Sequence, residues 1–159
     1  LGHISLQEEI DCLEMYLELE KLRFEDKLNY SILTKGEIEN TEVIIPTMLV
    51  QPYVENALKH GLLHRKTDRN LEILFVINTD TKLIECSIID NGVGREKAAK
   101  FKARKNKNHT SFATKATQDR LSLLNYGKQK QIGVIITDLI ENDIPTGTKV
   151  QITIPFTIE

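Results

Sequence analysis

The sequence predicts an α+β fold, a two-layer α/β sandwich in which a mixed sheet carries helices on one face and is preceded by an N-terminal helix. Apolar residues recur at helical spacing near the start of the chain and again after Pro46. Isoleucine-rich segments separated by turn residues predict strands, and they do not alternate strictly with helices. The 159 residues suffice for one compact domain with an appended element.

The first helix begins at a capping signal and follows a narrow apolar stripe. Ser5 followed by Glu8 is the pattern of a capping box, and the spacing predicts a helix that ends near Phe24 or Glu25. Two interpretations stay open: the stripe packs on one partner helix, in the same or a second chain, or it packs on its own domain. The stripe comprises Leu6, Ile10, Leu13, Leu17 and Phe24.

Two short strands and a second helix follow. Leu28–Leu33 alternates apolar and polar residues, as a half-exposed strand does, and Val43–Ile45 predicts a shorter strand. A helix is predicted over Pro46–Gly61, because proline favours the first turn of a helix and glycine its end. Pro52 lacks a backbone donor, so this helix either kinks there or begins near Gln51.

The second half of the chain predicts two strand pairs with helices and a polar loop between them. The loop is rich in lysine and asparagine without periodicity, so we expect it to be mobile. The predicted elements are an antiparallel hairpin of Leu71–Ile77 and Lys82–Ile89, a short helix over Arg95–Ala103, the polar loop Arg104–Thr110, a helix over Thr117–Tyr126, and a strand pair of Ile132–Ile140 and Thr148–Ile154 linked through Asn142, Pro145 and Gly147.

Composition limits the classes of function. The chain has 21 Lys and Arg against 23 Asp and Glu, and this balance argues against a nucleic-acid-binding surface, which carries a basic excess. No apolar run reaches the roughly 18 residues of a membrane span, and no signal peptide opens the chain. Because the first residue is Leu1 rather than Met, we expect a fragment of a longer protein, with any membrane segment outside it.

The cysteines and histidines do not predict a disulfide framework or a metal site. Cys12 and Cys86 lie in apolar patterns and are expected to be small buried or half-buried residues in a reducing, cytosolic setting. The four histidines are dispersed. His60 and His64 are four residues apart, but no third ligand follows at the spacing of a zinc site.

The second predicted helix carries a polar group that suits phosphates and a metal ion. Asn56, Lys59 and His60 are spaced by three and four residues, so they can share one helix face. An asparagine carbonyl is a hard oxygen that Mg²⁺ accepts, and Lys59 or His60 could donate to phosphate oxygens. Glu55 could position a water or accept a proton. The alternative is a solvated face with an i,i+4 pair between Glu55 and Lys59.

A carboxylate followed by two glycines stands at the end of the second isoleucine-rich strand. Asp90 is placed where the strand leaves the core, and it can accept a hydrogen bond from an exocyclic amine such as that of adenine. Gly92 and Gly94 supply backbone that a flat ligand can approach closely. Alone, this segment is also a common turn sequence. Its occurrence about thirty residues after Glu55 and Asn56 favours a nucleotide held at both ends.

These motifs resemble those of a known family. Glu55-Asn56 is similar to the N box, and Asp90–Gly94 to the first glycine box, of the GHKL (Bergerat) ATP-binding fold of histidine kinases, type II topoisomerases, mismatch-repair ATPases and a heat-shock chaperone. Tyr16–Phe24 and Gln51–Gly61 resemble more narrowly the LytS/YehU-type sensor histidine kinases, and the segment Gly147–Pro155 resembles the closing segment of that family. The likeness covers nearly the whole chain.

The resemblance implies ATP and Mg²⁺ as cofactors and a role for each matching residue. Asn56 would ligate Mg²⁺ between the phosphates, Asp90 would bind the adenine amine, and Thr148 would contact the base region. Glu55 and Asn56 are the candidate catalytic residues. The candidate nucleotide-binding residues are Asn56, Lys59, His60, Asp90, Gly92, Gly94, Lys115 and Thr148, with Arg104–Ala116 as the ATP lid.

The resemblance also implies a place in signalling. Residues 27–159 would form the catalytic domain of a sensor histidine kinase, and residues 1–26 the C-terminal part of its dimerisation and phosphoacceptor region. The domain would donate the γ-phosphate of ATP to a histidine outside this fragment, and the phosphate would pass to a response regulator, expected to be of the LytTR type. We expect a homodimer at full length, held at the membrane through segments outside this cytoplasmic domain.

Two departures from the family pattern leave alternatives open. Ala113 stands where the family's lid has a glycine, which could loosen γ-phosphate binding, and His3 lacks the surroundings of a phosphoacceptor. A degenerate module that signals through nucleotide or dimer contacts without kinase activity is therefore an alternative. An ATPase of the topoisomerase or mismatch-repair type, with Glu55 as general base, is another.

Overall fold

A layer of helices lies on a layer of strands in the computed structural model, which describes residues 2–95 and 112–159. The helices are α1 (Leu6–Arg23), α2 (Gln51–Asn56) and α3 (Phe112–Asn125), and α2 continues into a π-helical turn (Ala57–Gly61) and a 3₁₀ turn (Leu62–His64). The strands are β1 (His3–Ser5), β2 (Leu28–Lys35), β3 (Val43–Pro46), β4 (Arg69–Asn78), β5 (Leu83–Asp90), β6 (Gly133–Glu141), β7 (Ile144–Pro155) and β8 (Thr157–Ile158).

The main sheet has five strands and is mixed, as the sequence predicts. Its order is β2-β4-β5-β7-β6; β2 runs parallel to β4, and the other neighbours are antiparallel. The predicted hairpin is confirmed as β4 and β5, and the final strand pair as β6 and β7. The parallel contact requires a crossover between β2 and β4, and α2 lies in that crossover.

One face of this sheet is buried under the helices. Every second residue of β4, from Leu71 to Ile77, is buried, while the residues between them are half-buried or exposed. Ile84 and Cys86 of β5 continue the buried face, so the expectation for Cys86 is confirmed. The α+β fold class, with helices on one face of a mixed sheet, is confirmed.

Helix α1 packs on the core of the same chain. Its capping box forms as predicted, because the Ser5 hydroxyl accepts from the backbone N–H of Glu8 while the Glu8 carboxylate accepts from the backbone N–H of Ser5. The predicted stripe is buried in the same apolar cluster as the sheet residues. Of the two interpretations, packing on its own domain therefore describes the buried stripe. The assignment of residues 1–26 to a dimerisation region stays a prediction.

The opposite face of α1 is exposed. Cys12 is exposed, so the expectation that it is buried or half-buried is wrong: it lies outside the buried stripe. Met15, Leu19 and Leu22 are 69%, 63% and 69% exposed. Although α1 has 18 residues, neither it nor any other helix of the described part of the chain is long and apolar enough to cross a membrane.

A second, three-stranded sheet was not predicted. It has the order β1-β3-β8, with both contacts antiparallel, so strands from near the two ends of the chain flank β3. β1 and β8 contain three and two residues, which is too short for an alternating pattern to be visible in sequence. Their pairing is a tertiary contact.

The second helix begins later than Pro46. That proline ends β3, and residues 47–50 form turns in which Met48 has a φ of 58°. Helix α2 then begins at Gln51 with Pro52 in its first turn, where a missing N–H costs no helical hydrogen bond. The alternative start near Gln51 is thus confirmed, and the start at Pro46 is wrong.

The connection between β6 and β7 is tighter than predicted. Asn142 and Asp143 have φ values of 51° and 62°, the two positive values that a two-residue type I′ hairpin requires. Pro145 and Gly147, expected in a loop, lie within β7. The register of β6 against β7 shifts between Leu139 and Ile140, and this β-bulge accommodates Pro145 and Gly147 within the strand.

Candidate functional site

The candidate site centres on a buried carboxylate at the end of β5. Asp90 is 3% exposed, and its carboxylate accepts hydrogen bonds from the backbone N–H groups of Gly92, at 2.9 Å, and Thr148. Burial raises the pKa of Asp90 to about 6, while the two N–H donors oppose that rise. At neutral pH the site therefore holds an ionised hydrogen-bond acceptor inside the domain.

Around Asp90, three backbone segments approach one another at distances that only glycine permits. A Cβ on Gly92 would lie 2.5 Å from the Cα of Gly61, and a Cβ on Gly147 would lie 1.9 Å from the carbonyl oxygen of Asp90. Gly147 also has a φ of 149°. The turn after Asp90, the end of the α2 segment and the start of β7 therefore meet at one point.

The α2 segment, which carries Asn56, ends at the same point. Asn56 is the last residue of α2 and is half-buried. The π-helical turn follows directly and ends at Gly61, whose carbonyl accepts from the N–H of Val93 at 3.3 Å. Asn56 precedes Gly61 by five residues in the same helical segment, and a Cβ on Gly61 would lie 2.8 Å from Oδ1 of Asp90, so this segment ends against the Asp90 carboxylate.

The other predicted residues of this helix differ in environment. Lys59 is exposed and His60 is half-buried, and both belong to the π-helical turn, a geometry that is frequent at functional sites. The carboxylate of Glu55 is half-buried and accepts from the side-chain amide of Gln51 at 3.3 Å.

Thr148 and the second glycine of the turn complete the group. Thr148 lies directly opposite Asp90 in the ladder of β5 and β7 and is half-buried. Gly94 is buried, with a φ of 86°. Asn91 fixes the turn to the start of β4, because its side-chain oxygen accepts from the N–H of Asn70 at 2.8 Å. The turn that follows Asp90 is thus held by hydrogen bonds on both sides, to β4 through Asn91 and to the Asp90 carboxylate through the N–H of Gly92.

The sequence of this chain is similar to that of known sensor kinases. No family model matches the chain. It is 30% identical over 112 residues to the sensor protein kinase HptS of Staphylococcus aureus, an alignment that covers 70% of this chain and 20% of that protein. The chain thus spans about a fifth of the length of the curated relatives that it matches.

Solved structures give the fold. The nucleotide-free catalytic domain of the histidine kinase ThkA superposes with a TM-score of 0.63 and 13% identity, covering 99% of this chain and 98% of that domain. ThkA in complex with the response regulator protein TrrA superposes with a TM-score of 0.56 and 14% identity, covering 97% of this chain and 41% of that one. The chain has the fold of a histidine kinase catalytic domain.

The predicted lid, Arg104–Ala116, lies mostly outside the described residues. The predicted helix Arg95–Ala103 is described only at Arg95, and the polar loop Arg104–Thr110 is not described. Helix α3 begins at Phe112, five residues earlier than predicted, so Ala113 is helical rather than part of a turn with positive φ. Lys115 is exposed in the first turn of α3. Alanine is the best helix former, so this position suits it.

Two further features are a cavity beside the start of α2 and an ion pair after the glycine turn. An apolar cavity of about 220 Å³ separates α2 from α3; Leu49, Pro52 and Tyr53 line one side. It contains neither Asn56 nor Asp90. The guanidinium of Arg95 binds both carboxylate oxygens of Asp138, at 2.8 and 2.9 Å, and so ties the glycine turn to β6.

Sequence reasoning missed one buried carboxylate. Glu9 is fully buried, and it contacts the segment before α2. A signal was present, because Glu9 lies three residues after Leu6 and four before Leu13, within the apolar stripe of α1. A charged residue on a buried helix face requires a partner.

Proposed function

We propose that this chain is the ATP-binding catalytic domain of a two-component sensor histidine kinase of the LytS/YehU type. The observation that carries the proposal is the buried Asp90 carboxylate, held beside glycine backbone where the Asn56 helix ends. The histidine kinase fold and the similarity to a sensor protein kinase support the same function. Donor chemistry agrees with it, since a carboxylate recognises an amine and an amide oxygen suits Mg²⁺.

Asp90 would bind the adenine base of the nucleotide. Its ionised carboxylate accepts a hydrogen bond from the exocyclic amine of adenine, and the N–H groups of Gly92 and Thr148 hold it in orientation. Gly92 and Gly94 leave room for the base to approach the backbone. Guanine carries a carbonyl at the position of that amine and would place two acceptors face to face. The site should therefore discriminate ATP from GTP.

The phosphate end would lie along the α2 segment. Asn56 offers an amide oxygen to Mg²⁺, which when bound neutralises charge on the phosphates, and Lys59, His60 and Lys115 offer positive charge or donors. Within described residues 2–95 and 112–159, no three His, Cys, Asp or Glu side chains converge on a metal site. Binding through one protein oxygen and substrate phosphates is the ordinary mode for Mg²⁺.

The chain would supply the donor and its orientation rather than the nucleophile. The γ-phosphate would pass to a histidine outside residues 1–159, in line with the leaving oxygen, and then to a response regulator. ThkA, which shares the fold, is known in complex with such a regulator. A homodimer, a membrane anchor and a LytTR-type regulator belong to this proposal for the full-length protein.

Thermal unfolding tests the proposal. A ligand at 100 times its Kd adds about 2.7 kcal/mol to the free energy of unfolding, which raises the Tm of a domain of this size by roughly 5–10 °C. We expect this shift with Mg²⁺-ATP in the wild type and not in Asn56→Ala or Asp90→Ala. Asn29→Ala, on an exposed position of β2, is the matched control and should keep it.

The outcomes separate the alternatives. No shift in the wild type would favour a module that signals without nucleotide. A shift kept by Asn56→Ala and Asp90→Ala would refute the site. Steady ATP hydrolysis that Glu55→Ala abolishes would indicate an ATPase with Glu55 as general base.

A further inference from the structure

Two helices hold the short segment that leads into α2. The carboxylate of Glu9, on α1, accepts hydrogen bonds from the backbone N–H groups of Met48, at 3.2 Å, and Val50, at 3.1 Å. Glu9 is fully buried, and it is one of two buried carboxylates among the described residues; the other is Asp90. Because a buried carboxylate without donors is strongly unfavourable, these hydrogen bonds fix the segment to α1.

Arg120, on α3, holds the same segment from the other side. Its guanidinium donates to the carbonyl oxygens of Met48, at 2.9 Å, and of Thr47. Burial raises the pKa of Glu9, and the backbone N–H groups that donate to it, together with the positive charge of Arg120, oppose that rise. The backbone N–H groups of residues 48 and 50 thus donate to a carboxylate, and the backbone carbonyls of residues 47 and 48 accept from a guanidinium. Met48 has a φ of 58°, an unfavourable backbone conformation that these contacts stabilise.

A cavity lies between the start of α2 and helix α3, beside the contacts of Arg120. The apolar cavity of about 220 Å³ lies between Leu49, Pro52 and Tyr53 on one side and α3 residues including Leu121 on the other. Where this cavity lies, the two helices are not closely packed. Among the described residues, the hydrogen bonds of Arg120 to the carbonyls of residues 47 and 48 connect α3 to the segment before α2.

We propose that Glu9 and Arg120 are positioning residues for nucleotide binding, which fix the start of α2 between α1 and α3 and thereby the place of Asn56. The inference rests on the proposed function, because it concerns the nucleotide site at Asn56 and Asp90. Between Val50 and Asn56 the chain is one short helix, so a shift or tilt at its start is carried to Asn56. Neither Glu9 nor Arg120 belongs to the set expected to touch ATP.

Two conservative variants test the proposal. Glu9→Gln keeps the size of the side chain but removes the charge and one acceptor oxygen, and Arg120→Lys keeps the charge but loses the planar fork that reaches two carbonyls. Ile84→Ala is the destabilised control, because Ile84 is fully buried in β5 and does not contact residues 47–50 through any hydrogen bond of the described residues. All are compared at 10 °C after circular dichroism shows each to be folded.

The readout is the Kd of Mg²⁺-ATP by calorimetry, together with hydrogen exchange of α2 amides in the absence of nucleotide. We expect Glu9→Gln and Arg120→Lys to raise the Kd at least tenfold and to speed exchange in residues 51–61. Ile84→Ala should keep the Kd within twofold despite a lower Tm. If Glu9→Gln does not fold, Arg120→Lys carries the test.

Different results would refute the proposed function and the positioning role of Glu9 and Arg120. A wild type that does not bind ATP would refute the proposed function and this inference with it. A wild type that binds ATP, with a Kd unchanged within twofold in the folded variants, would refute the positioning role alone. An equal rise of the Kd in Ile84→Ala would also refute it, since general loss of stability would then explain the effect.

Discussion

Replacing Asp90 with asparagine removes a buried charge and keeps the size of the side chain. The carboxylate is 3% exposed, and burial raises its pKa from 3.8 to about 6 although two backbone N–H groups donate to it. Each pKa unit corresponds to about 1.4 kcal/mol. The ionised carboxylate therefore costs the folded protein about 3 kcal/mol at pH 8, relative to a carboxylate that stays in water.

The sign of the pH dependence follows from the two pKa values. Because the pKa of Asp90 is higher in the folded than in the unfolded protein, the folded protein binds more protons between about pH 4 and pH 6. This group therefore lowers the free energy of unfolding as the pH rises through that window. We expect Asp90→Asn to exceed the wild type in stability by up to about 3 kcal/mol at pH 8, and by less than about 1 kcal/mol at pH 4.

Urea unfolding at pH 4, 6 and 8 measures this difference, since other titrating groups contribute equally to both proteins. Asp138→Asn is the control, because that carboxylate is exposed and its loss should not give the same pH profile. A deficit of stability in Asp90→Asn at every pH would refute the reasoning. The same variant should weaken Mg²⁺-ATP binding at least tenfold; unchanged affinity would refute the role of Asp90 at the base.

Three other predictions concern the fold. Leu13→Ala, in the fully buried stripe of α1, should cost about 2–5 kcal/mol in chemical denaturation, whereas Leu19→Ala, 63% exposed, should cost less than about 0.5 kcal/mol; equal costs would contradict the packing of α1. Asp143→Gly should raise stability by up to about 1 kcal/mol, because glycine adopts a φ of 62° freely, and a lower Tm would argue against the type I′ turn. Arg95→Ala should cost less than about 1 kcal/mol and less in high salt, because its ion pair with Asp138 is exposed; a large, salt-independent loss would contradict this.

Local patterns determined much of the architecture. The capping box at Ser5, the apolar stripe of α1 and the hairpin of β4 and β5 depend on residues close in sequence, and each appears as predicted. The site motifs were also visible, because Asp90 and its two glycines lie within five consecutive residues and Glu55 and Asn56 are adjacent. The roles of these residues toward ATP and Mg²⁺ rest on the resemblance to a family and stay predictions.

Contacts between distant residues were decided only by the tertiary structure. The pairing of β1 and β8 with β3, the meeting of Gly61 with Gly92, and the hold of Glu9 and Arg120 on residues 47–50 join positions far apart in the chain. A sequence pattern records which residues need burial or a partner, as Glu9 does, but not which partner comes near. The partner of a buried polar residue is determined only by the packed tertiary structure, because the free energy of a polar contact depends on what surrounds it.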